Sequence, residues 1–317
     1  MKHLQLFAGT SSRELAQKIA AYLNIELGKI DIHQFSNGET YCRYDESVRG
    51  SDVFLLQTHS APVNDNIMEL LVMIDAARRA SAKRITAVIP FYGYARQDKK
   101  ARSREPISAR LLADLLTVAG ADRIVSMDLH TGQIQGYFSQ PLDHLTALPL
   151  LSDWIEENLG DRDLVIASPD AGRVRMAEKF VSRLGSPGMA FLAKTRTAHN
   201  VAKTLAVVGE VKGKTVVLCD DMIDTAGTLC GAAEALMDQG AVEVYAVATH
   251  PVLSGPAIER IKNSPIKQVV VTDTLPLPHE AFQTDKIVQL SIAAAIGETL
   301  RAIFEDHSIS ELFGSEK

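Results

Sequence analysis

Short apolar runs rich in β-branched residues alternate along the chain with alanine-rich stretches in which apolar residues recur at helical spacing. The apolar runs predict buried strands over Val53–Gln57, Ile85–Pro90, Arg123–Asp128, Leu164–Ser168, Thr215–Cys219, Val242–Thr249 and Gln268–Thr272. The alanine-rich stretches predict helices over Asn66–Ala80, Ser108–Ala119 and Thr228–Gln239. Because buried strands that alternate with helices are typical of parallel sheets, we expect an α/β protein.

The same order of elements occurs in each half of the chain, over residues 53–92 and 216–252: strand, polar loop, helix, short turn and strand. The two segments have low sequence identity, so the repeat lies in the order of the elements. A period near half of a 317-residue chain predicts a duplicated domain, and we place the domains at 1–148 and 149–317. Only the second copy has adjacent acids and a small-residue turn in its loop, so we expect the active chemistry there.

Composition narrows the classes of function. The net charge is −6, whereas proteins that bind nucleic acid through their overall field are usually basic, so we expect no nucleic-acid partner. The N-terminus lacks the pattern of a signal peptide, and no apolar run approaches the roughly 18 residues of a membrane span. Cys42, Cys219 and Cys230 form no CxxC pair and are expected to be reduced thiols. These features predict a cytoplasmic protein without membrane contact.

The most informative segment is the loop Asp220–Thr228, which follows an apolar strand and precedes a helix. Ligands of open α/β sheets bind at the carboxyl ends of strands, and helix N-termini suit phosphate. The small residues let the backbone approach an anion, while Asp220 and Asp224 suit either ribose hydroxyls or a magnesium shell. The structural alternative is helix capping by Asp224 and Thr225. Capping leaves the two adjacent acids unexplained, so the loop is predicted to bind a phosphorylated sugar.

Other polar segments lie next to apolar runs, and each has a plain structural alternative. The loop Tyr94–Arg104 holds five basic residues, which suit either a solvated face or nucleotide phosphates. The segment FSNGE, residues 35–39, reads by itself as an Asn-Gly turn, and SPDAG, residues 168–172, also reads as a turn. His130 ends a strand, where a lone histidine is more often structural, and KTR, residues 194–196, reads as a solvated loop.

The segment VVLCDDMIDTAGT resembles the phosphoribosyl-pyrophosphate (PRPP) binding loop of type I phosphoribosyltransferases. Its long form is similar to that of the ribose-phosphate pyrophosphokinases, and FSNGE, RITAVIPFYGYARQD, DLHTGQIQGYF, SPDAG and THPVLSGPAIERI also resemble that family. The resemblance covers nearly the whole chain. It implies two tandem phosphoribosyltransferase-like domains, each a mainly parallel sheet flanked by helices. It further implies transfer of the β,γ-diphosphoryl group of ATP to the C1 hydroxyl of ribose 5-phosphate, with release of AMP.

The resemblance assigns roles to individual residues. It places ATP on Phe35, Asn37, Gly38, Glu39, Arg96 and Gln97. It assigns the cofactor Mg²⁺ to His130 and Asp170, of which the carboxylate is the better ligand because magnesium prefers oxygen. It places ribose 5-phosphate on Arg196, Asp220, Asp221, Asp224, Thr225, Ala226, Gly227 and Thr228. It assigns catalysis to Lys194 and Arg196.

Three positions depart from the family pattern. Arg173 stands where relatives often carry a second glycine, Met176 where an arginine is common, and Thr195 where relatives usually have a basic residue. We therefore expect altered geometry in the SPDAG loop, with Arg173 or Arg175 binding pyrophosphate oxygens. The outer Lys-x-Arg pair of KTR is kept, so we expect catalysis to survive.

The resemblance also implies a homo-oligomer, often a hexamer, in which FSNGE of one subunit completes a neighbour's nucleotide site. Two other functions stay open. A phosphoribosyltransferase that consumes PRPP would share DDMIDTAGT but would not need FSNGE or YARQD. A non-catalytic regulatory homologue would be expected to lose loop acids or the lysine, all of which are present.

Overall fold

The chain packs into two compact units in the computed structural model, which describes residues 3–195 and 204–309, without the side chains of residues 194, 195, 204 and 205. The first unit comprises Met1–Thr146, Thr274–Pro276 and Ser291–Lys317, and the second comprises Ala147–Asp273 and Leu277–Leu290. No helix in the described part of the chain combines the length and hydropathy that crossing a bilayer requires.

The first unit is built on a parallel sheet. Its elements are β1 (Leu4–Ala8), α1 (Arg13–Leu23), β2 (Ile30–Gln34), β3 (Thr40–Tyr44), β4 (Asp52–Leu56), α2 (Val63–Arg79), β5 (Arg84–Ile89), α3 (Ser108–Ala119), β6 (Arg123–Met127) and β7 (Leu142–Leu145). Within the described residues, five strands pair in the order β1-β4-β5-β6-β7, all in parallel. Every residue of β4 is buried, which explains its continuous apolar run. Strands β2 and β3 form a separate antiparallel hairpin.

The second unit has a larger, mixed sheet. Its elements are α4 (Leu148–Leu159), β8 (Leu164–Ser168), α5 (Val174–Arg183), β9 (Gly188–Thr195), β10 (Thr204–Val208), β11 (Thr215–Ile223), α6 (Gly227–Asp238), β12 (Glu243–Pro251), α7 (Ala257–Asn263), β13 (Ile266–Thr272) and β14 (Ile287–Leu290). In the described chain seven strands pair in the order β10-β9-β8-β11-β12-β13-β14. All neighbours are parallel except β10, which is antiparallel to β9. The predicted α/β class, with helices flanking mainly parallel sheets, is confirmed.

Strand β11 is longer than its apolar run predicted. The run ends at Cys219, but the strand continues to Ile223, whose partner on β12 is Pro251. Pairing with β12 carries the strand past the polar residues, because the backbone of Asp220 pairs with that of Ala248 whatever the side chain. The two adjacent acids therefore lie on a strand and not in a loop.

The C-terminal helix α8 (Ala293–Glu305) belongs to the first unit, not to a C-terminal domain 149–317 as predicted. It packs against α1, where the Tyr22 hydroxyl donates to the Glu298 carboxylate at 2.5 Å. A Cβ on Gly297 would lie 2.6 Å from the Tyr22 ring, so a glycine permits this close approach. The predicted domain boundary near residue 148 did not include α8 in the first unit. The local sequence of a helix does not indicate which distant element that helix will pack against.

Candidate active site

Two carboxylates lie at the carboxyl end of β11 and share one cation. The Nη2 of Arg173 is 3.0 Å from Oδ1 of Asp221, and its Nε is 3.5 Å from Oδ1 of Asp220. Asp221 is only 5% exposed, and its backbone N–H donates to Oδ1 of Asp220 at 2.9 Å. Burial, followed by the side-chain hydrogen bond and the charge of Asp221, raises the pKa of Asp220 to about 8, whereas Arg173 and the Asp221 backbone N–H act to lower it. The strand end thus presents concentrated carboxylate oxygens with a compensating guanidinium.

A tight turn links β11 to α6. Ala226, the residue before α6, adopts a left-handed conformation with φ 58° and ψ 3°. Within the described residues no side chain caps the start of α6, so capping by Asp224 or Thr225 is not the geometry observed. The N–H groups of a first helical turn have no intrahelical partner, and a phosphate can accept from them.

The turn rests on the segment that follows β12, to which sequence reasoning assigned no role. The backbone N–H of Ser254 donates to the Asp224 carbonyl at 3.0 Å, and the Ser254 hydroxyl donates to the Asp224 carboxylate. On α7, Nη1 of Arg260 donates to the Thr225 carbonyl at 2.9 Å. A Cβ on Gly227 would lie 3.2 Å from the same nitrogen. The guanidinium of Arg260 therefore supports the turn. In the sequence, Arg260 was marked only by its place in the motif THPVLSGPAIERI.

Asp170 follows β8 and begins a short local turn. Its Oδ1 accepts from the Gly172 backbone N–H at 2.8 Å, which caps a short 3-10 helix over Ala171–Arg173. This turn presents Arg173 to the acids at the end of β11. In the described part of the chain, no three His, Cys, Asp or Glu side chains cluster as metal ligands.

The first unit presents Arg96 and Gln97 after β5, and both residues are exposed. Gln97 is tied to the start of α3, because its carbonyl accepts from the Ala109 N–H at 3.2 Å. Its Oε1 also accepts from the Ser108 hydroxyl at 2.6 Å. These two hydrogen bonds anchor the loop at Gln97 to the start of α3.

Asp98 joins this loop to the segment that carries His130. It is 4% exposed, and its Oδ2 accepts from the Thr131 hydroxyl and from Nε2 of Gln133, each at 2.7 Å. His130, half-buried, immediately precedes Thr131. The structure thus brings Arg96, Gln97 and His130 into one neighbourhood through an acid that sequence reasoning passed over. The sequence feature that could have identified Asp98 is that it is the one acidic residue in the basic loop Tyr94–Arg104.

Residues 35–39 form the tip of the β2–β3 hairpin and have the turn geometry expected of Asn-Gly. The Gly38 N–H donates to the Phe35 carbonyl at 2.8 Å, with Gly38 at φ 89°. Asn37 Oδ1 accepts from the Glu39 N–H at 3.2 Å. Phe35 is 51% exposed, so the hairpin tip presents an apolar ring to solvent.

One of the two catalytic candidates, Lys194, lies at the end of β9. The backbone of Lys194 belongs to this strand and pairs with Leu205 of β10. Arg196 lies outside the described residues, as does the side chain of Lys194.

Comparison with known proteins places the chain among similar sequences over most of its length. Residues 4–120 match the family model for the N-terminal domain of ribose phosphate pyrophosphokinase, and residues 189–314 match the phosphoribosyl synthetase-associated domain. The ribose-phosphate pyrophosphokinase of Caldanaerobacter subterraneus subsp. tengcongensis is 54% identical over 98% of this chain and 98% of its own. That of Corynebacterium ammoniagenes is 52% identical over 98% and 97%. The crystal structure of phosphoribosylpyrophosphate synthetase from Mycobacterium smegmatis matches with a TM-score of 0.92 and 52% identity, covering 96% of this chain and 99% of that one.

Proposed function

The chain belongs to the ribose-phosphate pyrophosphokinase family, and we propose how its residues divide the work of that family's reaction. The reaction is PRPP synthesis, in which the C1 hydroxyl of ribose 5-phosphate attacks the β-phosphorus of ATP and AMP leaves. Such transfers depend on positioning and on stabilisation of charge more than on covalent help from the protein. The observation that carries the assignment is the acid pair on β11 followed by the left-handed turn into α6.

Ribose 5-phosphate binds at this turn. Thr225, Ala226, Gly227 and Thr228 surround the 5-phosphate with backbone N–H groups and two hydroxyls, at a helix start that no described side chain caps. Asp220, Asp221 and Asp224 accept hydrogen bonds from the ribose hydroxyls. This division of roles follows from charge, because carboxylates suit hydroxyl donors and repel a phosphate.

ATP binds through the first unit. The exposed Arg96 and Gln97 contact its phosphates, in a loop that Asp98 ties to the His130 segment. Residues 35–39 contact the base, with Phe35 stacking on adenine, and Asn37, Gly38 and Glu39 bonding its edge. Since the hairpin tip is exposed, it can serve the nucleotide site of a neighbouring subunit.

Magnesium is the cofactor we propose, with Asp170 supplying a carboxylate oxygen and His130 acting directly or through water. The half-exposed Asp170 fits this role, since one of its oxygens caps a turn while magnesium needs only one or two protein carboxylates. When bound, the ion neutralises charge on the ATP phosphate oxygens. Lys194 and Arg196 stabilise the charge that develops in the transition state.

We also propose a homo-oligomer, of the hexameric kind that the family resemblance implies, in the cytoplasm. An apolar groove between α2 and α3 supports self-association, because Met68, Leu111 and Leu115 are among the exposed large apolar side chains and line it. The cytoplasmic assignment is supported by Cys42, Cys219 and Cys230, all of which are free thiols.

The proposal is tested by incubating the purified protein with Mg-ATP and ribose 5-phosphate and measuring AMP and PRPP together. We expect equal amounts of the two products, and none without magnesium or ribose 5-phosphate. Consumption of added PRPP with a base would instead identify a phosphoribosyltransferase. Absence of both products, with or without phosphate ions, would favour the regulatory homologue.

The assignment of Lys194 has its own test. Lys194→Ala should lower kcat about 10²–10³-fold, the usual loss when one donor to a transition-state charge is removed. The matched control is Lys214→Ala, because Lys214 pairs with the exposed Asp163 on the surface of the same unit. Equal turnover in the two variants would remove Lys194 from the mechanism.

A further inference from the structure

The guanidinium of Arg173 lies against both members of the acid pair that we assign to ribose. Its Nη2 is 3.0 Å from Asp221, and its Nε is 3.5 Å from Asp220. The Arg173 side chain is 20% exposed, so the contact is largely screened from water. The contact joins two parts of the second unit that are distant in sequence, the turn after β8 and the end of β11.

Two adjacent carboxylates in a largely buried position need a compensating charge. Burying an ionised carboxylate without a partner is costly, and a second carboxylate beside it adds repulsion. Burial and Asp221 both raise the pKa of Asp220, while the charge of Arg173 lowers it. Arg173 is thus the cation that opposes these effects and favours the charged, hydrogen-bond-accepting form of the pair.

The shape of arginine matters as well as its charge. A guanidinium is a planar fork with donors that can reach two acceptors at once, whereas an ammonium is a compact point charge. The fork of Arg173 uses one nitrogen for each acid and thereby orients both carboxylates. The backbone behind it is held because Asp170 caps the turn through Gly172.

We propose that Arg173 is a positioning residue for ribose 5-phosphate, which holds Asp220 and Asp221 in the orientation that accepts the ribose hydroxyls. The inference rests on the proposed placement of ribose 5-phosphate at the end of β11. It departs from the sequence-based expectation that Arg173 binds pyrophosphate oxygens, because its guanidinium faces carboxylates. The departure from the family's glycine at this position therefore has a specific role in this chain.

The test compares Arg173→Gln with Arg183→Gln. Arg183 lies on α5 of the same unit and pairs with Asp153 at 3.0 Å, with both side chains exposed, so its variant removes the same charge from the surface. Steady-state kinetics give kcat and KM for ribose 5-phosphate and for ATP separately. We expect Arg173→Gln to raise KM for ribose 5-phosphate at least about tenfold, the usual effect of losing a charge-assisted hydrogen bond. KM for ATP should change less than about twofold, or about 0.4 kcal/mol, because the proposal places Arg173 at the ribose acids and not at ATP.

A second variant, Arg173→Lys, keeps the positive charge and allows the same measurement if Arg173→Gln does not fold. It should fold and still raise KM for ribose 5-phosphate, because an ammonium cannot bridge both acids as the fork does. A KM for ribose 5-phosphate that is unchanged or lower in both variants would overturn the proposal. An increase confined to KM for ATP would also overturn it, in favour of pyrophosphate contact.

A direct binding measurement distinguishes failure of the Arg173 proposal from failure of the proposed function. Calorimetric titration of ribose 5-phosphate into the wild type and into Arg173→Gln measures the loss of affinity without turnover. If the wild type makes no PRPP, the proposed function fails, while a selective loss of ribose 5-phosphate binding still supports the role of Arg173. If the wild type is active and both proteins bind ribose 5-phosphate equally, only the Arg173 proposal fails.

Discussion

At the scale of single residues, the burial of a polar side chain and its effect on the pKa depend on tertiary contacts that the sequence pattern does not show. His59 is fully buried, and its Nδ1 accepts from the Gly93 N–H at 3.0 Å. Its Nε2 is a buried atom without a hydrogen-bond partner among the described residues. Burial lowers the pKa of His59 to about 3. The folded protein therefore holds this imidazole neutral at any pH above that value.

This histidine makes stability depend on pH. Its pKa is lowered on folding, so below about 6.5 the unfolded chain binds a proton that the folded chain does not. The free energy of unfolding should then fall by up to about 1.4 kcal/mol per pH unit between pH 6.5 and the folded pKa. His59→Asn keeps an acceptor for Gly93 and removes the titration. We expect its urea midpoint to decline less between pH 7 and pH 4.5 than that of the wild type.

The control for that measurement is His33→Asn, because His33 lies on β2 with its side chain 48% exposed. Its pH dependence should match that of the wild type. Parallel pH profiles for the wild type and His59→Asn would show that His59 does not cause the acid sensitivity.

At the scale of elements, helical periodicity was most reliable where a helix has one buried face. The predicted bounds of α3 match the structure, and Ala109, Leu112, Ala113 and Leu116 form its buried stripe. The opposite side of the same helix carries Leu111, which is 59% exposed. A helix with apolar residues on both sides has more apolar surface than the fold of one chain covers.

We expect the groove lined by Leu111 to be covered by another subunit. Leu111→Glu would place a charge in that apolar contact and should shift the protein to a smaller oligomer, measured by light scattering after size-exclusion chromatography. Val118→Glu is the matched control, because Val118 is 76% exposed on α3 but does not line the groove. The interface would lie elsewhere if Leu111→Glu kept the wild-type mass, or if both variants dissociated equally.

At the scale of the whole molecule, the two units do not follow the order of the chain. The helix α8 buries Ile296, Leu300 and Ile303 in the first unit. Burying each such side chain stabilises by about 1.5–3 kcal/mol, and a typical domain is stable by only about 5–15 kcal/mol in total. The first unit therefore depends on a helix that begins more than 140 residues after its last strand, Leu142–Leu145.

A fragment of residues 1–148 should consequently fail to fold, as judged by circular dichroism and urea unfolding. The matched permuted fragment joins residues 291–309 through a short Gly/Ser linker to residue 3 and ends at residue 148. A short linker suffices because Asp306 and Asp52 both pair with Arg84, and the Asp52 N–H donates to the His3 carbonyl. This permuted fragment should unfold cooperatively. Cooperative unfolding of the shorter fragment would show that α8 is dispensable.

The sequence by itself determined the strands β4, β5, β6, β8, β11, β12 and β13, the helices α2, α3 and α6, the α/β class, the family and the motifs from which the candidate site is inferred. Each of these depends on periodicity or on residues close together along the chain. Only the tertiary structure decided that β11 runs on through the acid pair, that Arg260 supports the turn, and that α8 returns to the first unit. The contact of Arg173 with Asp220 and Asp221 was likewise decided only by the tertiary structure. All depend on contacts between residues far apart in sequence, which no local pattern records.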